Sequence, residues 1–253
     1  MKILIITVAG CSSRFSKSIG YETLKCIYYK KDYTESLLFR LLNQSADFDK
    51  YIVVGGYKYD ELRKCIEEWF PSKKDKIELV RNPFYKKYGS GYSLFCGIEA
   101  AMKYNFDEMM FVEGDLFVDS NSFLKVANSA YNVITCNNNP ILAKKAVVLY
   151  FDINEKIHYI YDTTHKTLII SEPFISIYNS GQIWKMTNNI AIRKIFESMK
   201  LDDWKGTNLV FIEKYFSNLD RQHFEIIGFE EWVNCNTIDD FNMILGEKNE
   251  NYQ

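Results

Sequence analysis

Histidine is scarce in this chain. Three residues in 253, at positions 158, 165 and 223, are too few and too scattered to build a metal cluster. The six cysteines, at 11, 26, 65, 96, 136 and 235, never fall in a C-x-x-C spacing. Without an export signal they read as reduced thiols of a cytoplasmic protein. No apolar run approaches the roughly 18 residues that span a bilayer, so no membrane partner is expected. An excess of positive charge is also missing. Lys and Arg number 31 against 33 Asp and Glu, for a net charge of −2, which gives a nucleic-acid partner no electrostatic support. Lys30-Lys31 and Lys86-Lys87 read as solvated faces. Neither repeats nor a low-complexity linker divide the chain, and its length suits one α/β domain spanning 1–253.

Aromatic residues, by contrast, are abundant at 16%, and most are expected in the core or on half-buried strands. The opening MKILIITVAGCSSRF has two readings. Lys2 and an apolar run before Gly10-Cys11 imitate a short lipoprotein signal, with Cys11 as the lipidated residue. Signals take roughly 15–30 residues, however, and this stretch is too short. The β-branched run Leu4–Val8 followed by small residues reads better as a buried strand entering a loop.

Beyond that strand, helical and strand periods alternate. ESLLFRLLNQSA, DELRKCIEEWF and GYSLFCGIEAAMKY have helical spacing, whereas YIVVGGY, KIELV and DEMMFVEGD read as strands. This order predicts parallel pairing with helices on both faces, and ligands beyond the carboxyl ends of the strands. The second half reads as short strands, AVVLYFDI, KIHYIYD, TLII and PFISIYN, forming an antiparallel extension over about 141–219. Helices are expected near Asn189–Met199 and Thr207–Phe216, then the strand FEIIGF and a last helix near Asp239. The core is expected at 1–140 and 220–247, with the polar tail GEKNENYQ frayed.

Three stretches carry chemistry. In VAGCSSRF, small residues at Gly10, Ser12 and Ser13 let backbone N–H groups turn toward an anion. Arg14 adds a fork of donors suited to phosphate, and Lys25 a point charge on a flexible stem. A Ser-rich turn with two surface cations explains the same letters. In FVEGDLFVD, Glu113 and Asp115 at i, i+2 share one face of a strand end and suit Mg²⁺ held between protein and substrate phosphates. An acidic turn is the plain alternative. In EWVNCNTIDDF, Thr237 caps a helix starting at Ile238, and Asp239 and Asp240 suit its positive end. Asn236 or Asp239 reaching the same metal as Asp115 is the functional reading.

Taken together, AGxxSR(F)…K after the first strand, an acidic strand end near residue 115 and NT-x-x-D-(F/L) before the last helix resemble the bacterial nucleotidyltransferases. The pattern is similar to phosphocholine and sugar-phosphate cytidylyltransferases of capsule and surface-polysaccharide pathways. NPFYKKYGSGYSL resembles the family segment beside the nucleotide, and WKGTNLVFIEKYF followed by WVNCNT resembles the tail of the choline-type members. The resemblance implies a Rossmann-like, mostly parallel mixed sheet with helices on both faces and a small antiparallel extension over the acceptor site. It implies a Mg²⁺-dependent transfer from CTP, or another NTP, to a small phosphorylated acceptor, with release of pyrophosphate. Arg14, Lys25 and Asp115 would be the catalytic residues. Ala9, Gly10, Cys11, Ser12, Ser13, Arg14, Asn82, Ser90, Ser93 and Glu113 would hold the nucleotide. Asp115, Asn236 and Asp239 would hold the metal. Glu172, Tyr178, Trp184 and Trp204 fall in the extension, where an aromatic wall with a carboxylate suits a cationic head group. Phosphocholine, phosphoglutamine-like compounds and sugar phosphates all remain open as acceptors. Ser12 stands where the family has a second glycine, Leu24 where it has proline, and Asn236 where many members have aspartate. Two rivals stand beside this reading: a glycosyltransferase using Glu113-Gly-Asp115 as its metal motif, and a non-catalytic nucleotide-binding protein.

Overall fold

The computed structural model describes residues 1–44, 46–143, 146–160 and 166–247. His165 and the end of the polar tail lie outside these residues. The opening run is the strand β1 (Lys2–Thr7), as the strand reading requires. It pairs in parallel with β2 (Lys50–Gly55) on one side and β4 (Glu108–Glu113) on the other. Ile3, Leu4, Ile5 and Ile6 are fully buried, alternating between the two faces of the sheet. Each such burial is worth roughly 1.5–3 kcal/mol, which suits a central strand.

Among the described residues nine strands form one sheet, whose main path runs β10-β6-β9-β4-β1-β2-β3. β3 is Ile77–Arg81, β6 Asn132–Asn137, β9 Phe174–Met186 and β10 Phe224–Phe229. All path neighbours are parallel except β9, which runs antiparallel to β4 and β6. One face carries α2 (Leu37–Leu42), α3 (Tyr59–Trp69) and α5 (Ser120–Asn128). The other carries α4 (Ser90–Ala101), α6 (Asn189–Ser198), α7 (Leu201–Lys205) and α8 (Leu209–Phe216). The expected α/β architecture is therefore present, with helices on both faces.

The second half departs from expectation in two ways. TLII is not a strand; residues 167–170 are irregular. PFISIYN does not stop at Asn179. It continues as the thirteen-residue β9, whose apolar second half is buried between β4 and β6. The outlying antiparallel part thus reduces to β7 (Val148–Asp152), β8 (Ile157–Ile160) and the first half of β9. The remainder of 179–216, with α6 and α8, belongs to the core. Further elements have no counterpart in the sequence reading: α1 (Ser13–Ile19), α5, β6, α7, and a small sheet pairing β5 (Leu116–Val118) with β11 (Trp232–Asn234). Among the described residues no helix is long and apolar enough to cross a membrane.

Candidate active site

β1 and β4 end side by side, and the chemistry-bearing loops leave from those ends. After β1 the chain passes Ala9, whose carbonyl accepts from Tyr57 N, and turns at Ser12 into α1. Ser12 has φ 53°, in the left-handed region. That explains the family's glycine here, and a serine holds the turn at a cost of roughly 1–2 kcal/mol. Ser12 Oγ accepts from the backbone N–H of Lys25 at 3.1 Å, so the loop and the lysine are fixed together. Among the described residues the N–H groups of Gly10, Cys11, Ser12 and Ser13 have no acceptor. Cys11 and Ser13 are exposed, as is Arg14 in the first turn of α1, which forms no ion pair among the described residues. Leu24, in the family's proline position, is extended and buried.

Lys25 Nζ is the centre of the cluster. It donates to Asp115 Oδ2 at 2.8 Å, to the Cys235 carbonyl at 2.9 Å and to Asn236 Oδ1 at 3.2 Å. Gly114 brings Asp115 there, because a Cβ at that position would lie 2.2 Å from Val8 Cγ1 and 2.9 Å from the Thr7 carbonyl. Only glycine lets the Glu-Gly-Asp turn press onto the end of β1. On the other side Cys235 N donates to the Asp115 carbonyl at 2.8 Å, which ties the C-terminal segment to the same turn. Asn236 Nδ2 donates to Asn234 Oδ1 at 2.7 Å, and this turns Asn236 Oδ1 toward the lysine. Thr237 then caps α9 (Ile238–Ile244) as expected, reciprocally with Asp240.

The donor set fits a hard divalent cation. Asp115 Oδ1 is buried and, among the described residues, without a hydrogen-bond partner. The oxygens of Asp115 and Asn236 already converge on one cationic atom. One carboxylate and one amide oxygen suffice for Mg²⁺, which completes its shell with water and substrate phosphates. Asp239 makes no hydrogen bond or ion pair with the Lys25 cluster among the described residues. It is exposed in the first turn of α9, where an acid suits the helix's positive end, and Asp240 makes the cap. Among the described residues no three His, Cys, Asp or Glu side chains gather as a metal cluster.

Glu113 and Asp115 do not act as a chelating pair. Glu113 Oε1 accepts from Asn208 Nδ2 at 2.6 Å, on the α8 side, while Asp115 faces Lys25. Burial, and then the charge of Asp115, push the Glu113 carboxyl from 4.5 up to about 7. Its contribution to stability is thus present below about pH 4.5 and lost as pH rises through 7. Glu113→Gln, which keeps an acceptor for Asn208, is expected to stabilise the protein by about 2 kcal/mol at pH 8 and by nothing measurable at pH 4.5. Urea unfolding at the two pH values checks this, and equal shifts at both would contradict it.

The expected nucleotide-side residues hold the scaffold. Asn82 and Ser93 are buried and bond each other at 3.0 Å, and Asn82 Oδ1 accepts from Phe84 N. They pin the end of β3 to α4. Ser90 Oγ accepts from Asn208 N, and Gly91 N donates to the Gly206 carbonyl. A Cβ on Gly91 would sit 2.7 Å from the Trp204 carbonyl, so the WKGT backbone covers the start of α4.

The proposed acceptor wall is not assembled. Trp184 is fully buried, stacks on Phe111 and donates its indole N–H to Tyr159 Oη at 2.7 Å. Trp204 is buried against Phe211 and Phe95. Both belong to the core because their strand and helix pack under α4 and α8. Tyr178 packs edge-on against Phe151, and exposed Glu172 accepts from Tyr150 Oη at 2.6 Å. Two surface cavities, about 280 and 540 Å³, lie between the 21–29 segment and α3 and beside Asn132, and neither is lined by Lys25 or Asp115.

The sequence reading missed Asn208, Asn234 and the Cys235 carbonyl. A main-chain oxygen has no signature in the letters, and the two asparagines gain their roles only through strand and helix placement.

Similarity to solved structures defines the class of fold. CTP:phosphocholine cytidylyltransferase from Streptococcus pneumoniae superposes with a TM-score of 0.63 at 14% identity, over 96% of this chain and 97% of that one. Inositol-1-phosphate CTP transferase from T. maritima gives 0.65 at 15%, over 97% and 95%. A nucleoside-diphosphate-sugar pyrophosphorylase from Vibrio cholerae gives 0.67 at 14%, over 98% and 100%. The fold is that of nucleotidyltransferases, as the sequence resemblance implied. No curated protein matches the chain. Over residues 21–248 the chain belongs to the family described as Domain of unknown function (DUF6564).

Proposed function

We propose that this protein is a Mg²⁺-dependent nucleotidyltransferase, a cytidylyltransferase that joins CTP to a small phosphorylated acceptor in the cytoplasm for surface-polysaccharide decoration. The observation that carries the reading is the convergence of Lys25, Asp115 and Asn236 beside a loop with unspent N–H groups. An acceptor phosphate oxygen would attack the α-phosphorus. A new O–P bond forms as the bond to the β-phosphate breaks, and pyrophosphate leaves with the electron pair. The acceptor phosphate is already an anion, so no base is needed, and positioning and charge neutralisation do the catalysis.

The Gly10–Ser13 N–H groups and Arg14 would hold the triphosphate, and Lys25 would stabilise charge growing at the reacting phosphorus. Asp115 and Asn236 would hold Mg²⁺, which supplies further neutralisation of phosphate charge when bound. Contact between Lys25 and Asp115 supports this over a glycosyltransferase, which gives the lysine no role, and Asn236 keeps its oxygen at the cluster. Pyrophosphate release across the four NTPs and a panel of phosphate acceptors tests it. Release is expected with CTP, and only when Mg²⁺ is supplied. No release with any pair from folded protein would end the proposal.

A further inference from the structure

The smaller surface cavity, about 280 Å³, is walled mainly by rings. The segment 21–29 supplies Tyr21, Tyr28 and Tyr29, and the end of α3 supplies Cys65, Glu68 and Trp69. Tyr21 is 57% exposed and Tyr29 45%, whereas most of the protein's large aromatic side chains pack inside. Trp69 is fixed by its neighbours. Tyr33 stacks on it at 5.4 Å, and Tyr29 meets it edge-on at 6.1 Å. The rings are therefore ordered at the surface instead of closing over one another.

The cavity has a negative charge and no cation of its own. Glu68 is exposed and forms no ion pair among the described residues, even with Lys64 one turn earlier on α3. Lys30, next to Tyr29, turns away to Glu247. Burial, and then the charges of Glu68 and Glu61, push the Cys65 thiol up to about 11, so the thiol stays neutral and the carboxylate supplies the charge. Elsewhere on the surface tyrosines carry the chain's own cations, with Lys58 over Tyr57, Arg63 over Tyr59 and Lys87 over Tyr88. Among the described residues no lysine or arginine stands over Tyr21, Tyr28, Tyr29 or Trp69.

We propose that this cavity is a binding site for a small alkylated ammonium ion, held by Tyr21, Tyr29 and Trp69 and by the Glu68 carboxylate. The site is separate from the Lys25 and Asp115 cluster and does not depend on the transferase reading. An alkylated ammonium spreads its charge over carbon, so ring quadrupoles attract it while its methyl groups pack on them. The carboxylate adds direct attraction at short range. A hard metal ion would instead need a shell of oxygens, which aromatic walls do not supply. An anion would meet the Glu68 charge without a compensating cation.

The test reads the indole N–H signals of the 4 tryptophans by NMR, with the Trp69 signal assigned through Trp69→Phe. Choline and tetramethylammonium are titrated against 3,3-dimethylbutan-1-ol, in which carbon replaces the charged nitrogen of choline. Both cations are expected to shift the Trp69 signal to saturation in the millimolar range, and choline to bind about tenfold more tightly than the neutral alcohol. Glu68→Gln is expected to weaken choline about threefold and leave the alcohol unchanged. Tyr21→Leu is expected to weaken choline about threefold through the lost ring. Both substituted positions are exposed, and unmoved signals from the other tryptophans report that the variants are folded. The alcohol shifting the Trp69 signal as strongly as choline would overturn the proposal, since the site would then be merely apolar. So would the absence of saturation with either cation, or choline affinity unchanged in both variants. A shift of Trp232, on the strand that leads to Asn236, with Trp69 unmoved would place the cation at the Lys25 cluster and overturn it as well.

Discussion

Lys25→Ala is expected to lower pyrophosphate release roughly a hundred- to a thousandfold, the range found when one preorganised donor to developing charge is removed. The lysine side chain bonds Asp115 and Asn236, and its backbone N–H bonds the Ser12 turn. Its loss leaves the Asp115 carboxylate next to Glu113 without a cation, and a stability cost of about 1–3 kcal/mol is expected. The variant still folds, because its main-chain bond to Ser12 does not depend on the side chain. Activity and unfolding measured on one preparation separate the two effects. A variant within threefold of wild type in turnover would place the reacting phosphorus away from this lysine.

Asp115→Asn is the second large effect. The substitution keeps size and leaves Lys25 a neutral acceptor, but removes the carboxylate bonded to it. Turnover is expected to fall on the order of a thousandfold at fixed Mg²⁺. Raising the Mg²⁺ concentration should recover part of the loss, because one amide pair holds a divalent ion less tightly than a carboxylate does. A loss equal at all Mg²⁺ concentrations would assign Asp115 to orienting Lys25 alone. Normal turnover would remove it from the site.

How far the letters lead differs between the two halves of the chain. Most of the first half was readable because its central strands are buried on both faces, as in Ile3–Ile6. The Lys25 and Asp115 cluster was reached through short motifs whose local geometry, a tight turn and a strand end, is fixed by nearby residues. The letters could not separate Asp239 from Asp240, because helix capping and metal binding call for the same residue type at adjacent positions; Asp240 makes the cap. Trp184 was misplaced for a longer-range reason. Its strand reads as a surface hairpin, and nothing local says that the strand will continue antiparallel between β4 and β6. Gln182 in the apolar run SGQIW did carry a signal, a polar residue inside a buried strand, but the Thr135 hydroxyl that holds the neighbouring Ile183 N is far away in sequence.

The thirteen residues of β9 have a mechanical consequence. The same rod that forms the outer hairpin with β7 is also wedged between the two halves of the central platform. The outer hairpin therefore cannot swing as an independent flap without shearing the platform next to Asp115. The hairpin behaves instead as a fixed fin, continuous with the platform it grows from.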